Sequence, residues 1–89
     1  LFAQEGSVSG RVTDADNGDP LVGANVLVVG TNLGAATDVN GEYFIINIPP
    51  GNYTIRAEYI GYRKEQKTDV LVLIDKTIYI NYELLQQLY

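Results

Sequence analysis

The sequence contains no cysteine, no histidine and no tryptophan. Without cysteine, the chain can form no disulfide and has no thiolate to act as a nucleophile. Histidine is the commonest general base, and cysteine and histidine are the commonest zinc ligands. The remaining serines and threonines therefore have no usual activating partner, and no motif supplies another. We expect no enzyme activity, no catalytic residue, no metal site and no cofactor.

Basic residues are also scarce. Six basic residues stand against eleven acidic ones, which gives a net charge of −5. The basic residues are scattered, except for one short cluster at 63–67. A nucleic-acid-binding protein needs a basic stripe to neutralise phosphates, so the composition argues against a nucleic-acid partner. No apolar run is long enough to cross a bilayer, so we expect no direct membrane insertion by this domain.

What the sequence does contain is a series of short β-rich runs separated by Gly, Asn, Asp and Pro. Apolar residues make up 46% of its 89 residues, which is typical of one globular domain. The runs predict strands at 7–13, 24–29, 35–38, 42–48, 53–59, 68–74 and 78–84. Seven short strands predict an all-β fold, a seven-stranded antiparallel β-sandwich.

Two features could have indicated a ligand site. Residues 14–19 are rich in Asp and Gly, but the positions that a calcium loop reserves for Gly and Glu hold Asp19 and Asn25, which favours a solvated turn. Seven tyrosines could stack on sugars, yet five fall on inward positions or at an end of the sandwich: Tyr43, Tyr53, Tyr59, Tyr62 and Tyr82. Tyr79 alone is predicted to point outward mid-strand, and one ring is a weak platform.

Several stretches resemble the carboxypeptidase regulatory-like domain family, whose seven-stranded sandwich is transthyretin-like. The stretches are 10–14, 20–26, 30–34, 37–43, 48–53 and 61–62, in the family's order. The motif residues that carry the resemblance are Gly10, Pro20, Leu21, Gly23, Ala24, Gly30, Thr31, Gly34, Thr37, Asp38, Gly41, Tyr43, Pro49, Gly51, Tyr53, Gly61 and Tyr62. Most of these residues have folding roles, so the resemblance predicts fold better than function.

The resemblance implies a setting for the domain. Such domains stand beside metallocarboxypeptidase catalytic domains or at the N-terminus of TonB-dependent outer-membrane receptors in Gram-negative bacteria. Residues 1–4 are interpreted as a signal-peptide remnant or a disordered N-terminus, which favours the second setting and an exported, periplasmic or outer-membrane-associated domain. Residues 5–84 are assigned to the sandwich, and 85–89 to a linker or the start of a following segment.

The leading hypothesis is therefore a non-catalytic accessory domain of a TonB-dependent receptor for nutrient or glycan uptake. Its partners would be other domains of the same polypeptide or an envelope protein. The alternative is a structural or weak carbohydrate-binding sandwich of a secreted or surface protein. We also expect the charged segment 63–67 to precede the strand 68–74 and guard its edge, while leaving that edge open to a selected partner strand.

Overall fold

The structure is a computed structural model that describes residues 5–87. The regular secondary structure in the described range consists entirely of β-strands. The eight strands are β1 (Gly6–Asp14), β2 (Asn25–Val28), β3 (Gly34–Ala36), β4 (Glu42–Ile48), β5 (Gly51–Glu58), β6 (Glu65–Val72), β7 (Thr77–Tyr79) and β8 (Tyr82–Leu84). They form two packed sheets, so the predicted all-β sandwich is confirmed.

The two sheets have four strands each. The first sheet has the order β4-β1-β7, and β8 pairs with β1 beyond β7; the second has the order β3-β2-β5-β6. Neighbouring strands are antiparallel except that β1 runs parallel to both β7 and β8. The prediction of a wholly antiparallel sandwich is wrong at this point. A parallel pair needs a long connection, and nearly the whole chain lies between β1 and its two parallel partners.

A kink over Gly10 divides the last predicted strand into β7 and β8, which gives eight strands instead of seven. The chain passes so close to β1 here that a Cβ on Gly10 would lie 1.7 Å from the carbonyl oxygen of Ile80. The Tyr43 hydroxyl donates to that same carbonyl at 2.6 Å and holds the kink in place. Glycine at position 10 is thus required by a close backbone approach.

The core lies between the sheets and is built from alternating inward side chains. Its largest fully buried members are Tyr82, Ile45, Ile48, Ile55, Leu84, Val8, Val12, Val26, Val28 and Val72. The Tyr82 hydroxyl crosses the core and donates to the carbonyl of Ile55 at 2.6 Å, which links the first sheet to the second. Burial raises the pKa of Tyr82 and of Tyr43 well above the usual value for tyrosine.

Strand β6 differs from its prediction. It begins at Glu65 and ends at Val72, so Glu65, Gln66 and Lys67 lie inside the strand and do not precede it. One residue of β5, Thr54, faces two of β6, Thr68 and Asp69, which is a β-bulge. Asp69 in the bulge has a φ of 55°, the left-handed conformation that Asp tolerates better than most residues. The alternation that predicted a strand at 68–74 is interrupted by this bulge.

The sandwich also extends past its predicted end at residue 84. The Arg63 N–H donates to the Leu85 carbonyl, and the Gln87 N–H donates to the Gly61 carbonyl, both at 2.8 Å. Residues 85–87 therefore pair with the turn after β5 and are part of the domain, not a linker. Positions 1–4, interpreted as a signal remnant, and positions 88–89 lie outside the described residues.

Candidate functional site

The outer face of the first sheet carries large apolar side chains in register. Ser9 of β1 lies opposite Phe44 of β4 on one side and Tyr79 of β7 on the other. The two rings thus stand in one row across three strands, separated by a small side chain. Two strand spacings put the backbones beneath the rings about 10 Å apart. We call this surface, with Ile46, Ser7 and Thr77, the Phe44 face.

The apolar members of the Phe44 face are well exposed. Solvent reaches 56% of Phe44, 52% of Ile46 and 76% of Tyr79. Single exposed apolar residues are common, but several on one face are typical of contact surfaces. Because all three occupy alternate positions of paired strands, the sheet holds them without help from a loop.

Small hydroxyl side chains form the floor between the rings. The Ser7 and Thr77 hydroxyls share a hydrogen bond of 2.7 Å. The Ser9 hydroxyl donates to the Tyr43 carbonyl at 3.3 Å. At one end of the face, a shallow hollow of about 290 Å³ is lined by Ser7, Thr77, Phe44 and Ile46, and Asp75 and Lys76 are among the residues on its rim. The face is therefore an apolar surface with a polar floor and a charged margin at one end.

The outer face of the second sheet is different. Its central row pairs Leu27 of β2 with Arg56 of β5, and Arg56 with Gln66 of β6. The Arg56 Nε donates to Glu58 at 2.7 Å, and the Lys64 ammonium lies 3.7 Å from the same carboxylate. The charges on this face thus have partners within the domain. Leu71 of β6 has 51% of its surface accessible and lies at the margin of this face, where it lines a hollow of about 440 Å³ together with Tyr79.

Asp14 ties together one end of the sandwich. Its carboxylate accepts hydrogen bonds from the backbone N–H groups of Asp16 at 2.7 Å and Asn17 at 3.2 Å, from the Tyr62 hydroxyl at 2.5 Å and from the Gln86 amide at 3.4 Å. The Tyr62 bond, followed by the backbone bond from Asp16, holds the pKa of Asp14 below its usual value. The same bond raises the pKa of Tyr62. The 14–19 turn is thus an Asx turn whose first carboxylate is occupied by protein donors.

The predicted motif residues lie in turns and at close contacts, and none lies on the Phe44 face. One group meets around Thr37, whose hydroxyl donates to the Leu21 carbonyl at 2.5 Å and accepts from the Ala24 N–H at 2.8 Å. The Gly23 N–H donates to the Thr37 carbonyl at 3.0 Å. This group joins the turn before β2 to the end of β3.

Further motif residues form the hairpin before β4 and the turn after β2. The Asp38 carboxylate accepts from the N–H groups of Asn40 and Glu42, both at 2.9 Å. Gly41 has a φ of 74°, and a Cβ there would lie 3.0 Å from Pro20. The Thr31 hydroxyl donates to the Val28 carbonyl at 2.8 Å, which closes the turn that contains Gly30 and leads to Gly34.

The remaining motif residues hold the two ends of β5. The Tyr53 hydroxyl donates to the Pro49 carbonyl at 2.7 Å, and Gly51 lies against the Tyr53 ring. After β5, Gly61 turns the chain with a φ of 84° so that Tyr62 reaches Asp14. Tyr53 and Tyr62 are half-buried, not fully inside. These roles are structural.

Sequence reasoning identified Tyr79 as outward but did not identify Phe44 as its counterpart. The signal was present, because Tyr43 and Ile45 were assigned inward and strict alternation then turns Phe44 and Ile46 outward. That alternation could not show that β4 and β7 flank the same strand. Within residues 5–87, no three Asp or Glu side chains form a group that could hold a metal ion. The same range has no helix long and apolar enough to span a membrane.

Comparison with known proteins adds a family. The family model described as the CarboxypepD_reg-like domain matches residues 8–88. The TonB-dependent transporter Oar of Myxococcus xanthus is 32% identical over 97% of this chain, and the TonB-dependent receptor SusC of Bacteroides thetaiotaomicron is 38% identical over 73% of it. The chain spans only 8% and 6% of the length of these two relatives.

Solved structures share the fold. A chain in a type II cohesin–X–dockerin complex from Acetivibrio cellulolyticus, an N-terminal interface mutant, superposes with a TM-score of 0.72 and 27% identity. The match covers 90% of this chain and 56% of that one. This likeness supports the sandwich architecture described above.

Proposed function

The chain belongs to the CarboxypepD_reg-like domain family, and from that membership we propose that it is a non-catalytic accessory domain of a TonB-dependent outer-membrane receptor. The two relatives described above are TonB-dependent proteins many times longer than this chain, which supports a role as one part of a larger receptor. The domain would be exported and would lie in the periplasm or against the outer membrane of a Gram-negative bacterium. The receptor would take up a nutrient or a glycan.

The observation that carries this proposal is the Phe44 face. An accessory domain without its own chemistry acts by contact, and a contact surface needs exposed apolar side chains fixed on a rigid support. Phe44 and Tyr79 meet that requirement, because both stand on paired strands of the first sheet. We assign this face to contact with other parts of the receptor polypeptide, or with an envelope partner protein.

Site-specific photo-crosslinking tests the proposal. A photoreactive phenylalanine analogue is placed at Tyr79 in the complete receptor in cell envelopes, and at Gln66, opposite Arg56 on the outer face of the second sheet, as the matched control. We expect crosslinks from position 79 to residues of the plug, the barrel or one envelope protein, and few from position 66. Equal yields from the two positions, or crosslinks from position 66 alone, would contradict the assignment.

A weak carbohydrate-binding module is the second candidate function, and the ring row on the Phe44 face favours it. Two exposed rings flank a floor of hydroxyl groups, so a sugar ring could stack on either aromatic side chain. This makes two rings available where the sequence predicted Tyr79 alone. The face is shallow, however, whereas ligand sites are usually concave, so protein contact remains the leading proposal.

Glycan titration separates the two candidates. Isolated domain is titrated with soluble maltohexaose, cellohexaose, xylohexaose and laminarihexaose, and amide chemical shifts are followed by NMR. The contact proposal predicts no saturable shifts at residues 42–48 and 77–79 with any of the four sugars. Saturable shifts there that disappear in Tyr79→Ala, but persist in Gln66→Ala, would establish the carbohydrate module instead.

A further inference from the structure

A sandwich that does not close into a barrel leaves strand edges with unpaired backbone groups, which can pair with another strand. Here the described strands leave edges at β4 and at β7 and β8 in the first sheet, and at β3 and β6 in the second. These edges differ in how well bulges, charges and local hydrogen bonds protect them from pairing. The least protected edge is the one that can accept a partner strand.

The two long edge strands are both blocked by bulges. In β4, Ile46 and Asn47 face the single residue Ser7 of β1, and Asn47 in this bulge has a φ of 60°. In β6, the bulge contains Asp69 and follows the charged segment Glu65–Lys67. A bulge bends and twists an edge away from a straight partner strand. The sequence-based expectation that β6 accepts a partner strand therefore loses its basis.

The start of β4 is protected a second time. The Glu42 N–H donates to the Asp38 carboxylate, and the Glu42 carbonyl accepts from the Asp38 N–H, both at 2.9 Å. These bonds satisfy the outward groups of the first β4 residue. The remaining edge of the first sheet is divided by the kink over Gly10 into β7 and β8, and the charged residues Asp75 and Lys76 stand directly before β7.

The β3 edge has no bulge, no charge and no proline, and its pairing with β2 continues without a break. Its residues are Gly34, Ala35 and Ala36. The Val28 N–H donates to the Leu33 carbonyl at 3.0 Å and the Thr37 N–H to the Ala24 carbonyl at 2.9 Å, so both pairs are hydrogen-bonded pairs of the antiparallel β2–β3 ladder. Alternation then makes Val26 and Ala35 a bonded pair.

The same alternation turns the N–H and C=O groups of Gly34 and Ala36 away from β2. Both residues are exposed to solvent. Within residues 5–87, no other hydrogen-bond partner is found for these four groups. The β3 edge therefore presents two donors and two acceptors in the spacing of a strand.

From this edge we infer a binding site for an extended peptide strand, which would pair with β3 and enlarge the second sheet. The unpaired groups specify the occupant, because only an extended backbone supplies alternating donors and acceptors at that spacing. The strand would come from another polypeptide. The inference does not depend on the proposed function, since it follows from the edge alone.

The surface beside the edge also favours one kind of side chain in the incoming strand. Gly34 and Ala36 leave a hollow of about 460 Å³ on the outer face, and Leu27 lies over Gly34, with its Cδ2 3.0 Å from where a Cβ would stand. A large side chain on a neighbouring strand can cover an edge glycine in this way. We expect the peptide to place an aromatic residue beside Gly34, in contact with Leu27.

Selection from a phage-displayed library of random ten-residue peptides tests the site, because a random library does not require the ligand to be chosen in advance. The domain is the bait, and the blocked variant is Ala36→Pro, which removes an N–H that points outward and so spares the β2–β3 ladder. Ala36→Thr keeps that N–H and is the matched control. Ala36→Lys is a second blocked variant that does not depend on proline fitting the backbone.

We expect selected peptides that carry an aromatic residue and bind Ala36→Thr as they bind the original domain. Ala36→Pro should lower their affinity about tenfold or more, since it removes one hydrogen bond and adds a steric block. On binding, hydrogen exchange should slow at the Gly34 and Ala36 amides. The inference is overturned if no peptide is selected, if Ala36→Pro and Ala36→Lys both bind as well as Ala36→Thr, or if protection appears on β6 or the Phe44 face. A dimer of the domain that Ala36→Pro dissolves would also overturn it in favour of self-pairing.

Discussion

The two outer faces of the sandwich are built on the same architecture but hold different side chains. Each covers a four-stranded sheet, and each sheet presents a row of paired residues at its centre. In the second sheet that row contains Arg56, which pairs with Glu58 on its own strand. In the first sheet it contains Phe44, Ser9 and Tyr79, two exposed rings with a hydroxyl between them.

The difference distinguishes residues that stabilise the domain from residues that are available for contact with another molecule. The charged side chains of Arg56, Glu58 and Lys64 on the second sheet already have partners within the domain. The rings of the first sheet leave apolar surface in water, and folding gains little from keeping them there. Because the inner faces already supply the core, the exposed rings point to a role in recognition. Substitutions in and around the two sheets test this comparison, and the largest effect is expected at Gly10.

Gly10→Ala should destabilise the domain most, because the kink over Gly10 sets the position of β7 and therefore of Tyr79. The new Cβ would lie 1.7 Å from the Ile80 carbonyl oxygen, and backbone would have to move to relieve the clash. We expect a loss of about 3 kcal/mol in the free energy of unfolding, measured by thermal and urea denaturation. Gly18→Ala is the control: it has open space but a φ of 78°, and should cost about 1 kcal/mol. Equal costs for the two variants would contradict the role of the kink.

Tyr82→Phe should weaken the link between the two sheets. It leaves the buried Ile55 carbonyl without the Tyr82 hydroxyl, and we expect a loss of about 1–2 kcal/mol. Tyr53→Phe removes a hydroxyl that bonds the exposed Pro49 carbonyl, and should cost less than about 0.5 kcal/mol. Urea denaturation of both variants makes the comparison, and a cost at Tyr53 as large as that at Tyr82 would show that burial of the bond is not what matters.

Acid should lower the stability of the domain by weakening the hydrogen bonds that the Asp14 carboxylate accepts at one end of the sandwich. Its pKa is lowered in the folded state, chiefly by the Tyr62 hydroxyl, so its contribution to stability is present above the ordinary pKa of 3.8 and is lost as pH falls through the folded value. The pKa of Tyr62 is raised, so its contribution is full below its ordinary value of 10.0 and is lost above the folded one. We expect Tyr62→Phe to lower the Tm by about 5 °C at pH 7, as the loss of one hydrogen bond does in a small domain.

This difference between Tyr62→Phe and the original chain should shrink as the pH falls below 3.8 and through the lowered pKa of Asp14, where the carboxylate becomes protonated. Melting curves from pH 2 to pH 8 provide the measurement. If the difference stays constant over that range, the Asp14 carboxylate is not the partner that makes Tyr62 stabilising.

Tyr79→Thr should have the smallest effect on stability, since the ring is 76% exposed and threonine suits a strand. We expect a change within about 0.5 kcal/mol, and the same for Gln66→Thr on the outer face of the other sheet. The two variants should differ only in contact with the receptor. A large loss of stability in Tyr79→Thr, seen in the melting temperature, would mean that the ring supports the fold.

The sequence predicted the fold where local alternation decides it. Alternation assigned Tyr43 and Ile45 to the interior and Tyr79 to the surface, and the structure confirms all three. It did not predict the parallel pairing of β1 or the kink over Gly10, because both depend on contacts between residues at opposite ends of the chain. The bulge at Asp69 likewise depends on the register between β5 and β6.

The candidate site was predicted only in part for the same reason. Phe44 and Tyr79 belong to one surface only because both flank Ser9, and no local pattern shows that two distant strands share a neighbour. The motif residues were easier to find, because glycines and Asx residues mark turns directly. Those residues maintain the fold, and so the most recognisable part of the sequence is the part that says least about contact.

Hydroxyl-radical footprinting tests the central claim most directly, because it reports the exposure of the same side chains in two settings. Oxidation of Phe44, Tyr79 and Ile60 is compared between the isolated domain and the complete receptor in membranes; Ile60, in the turn after β5, is 96% exposed. The account predicts that Phe44 and Tyr79 are oxidised several-fold more slowly in the receptor, while Ile60 is unchanged. Unchanged oxidation of Phe44 and Tyr79, or protection of Ile60 in their place, would contradict the claim that the outer face of the first sheet is the contact surface.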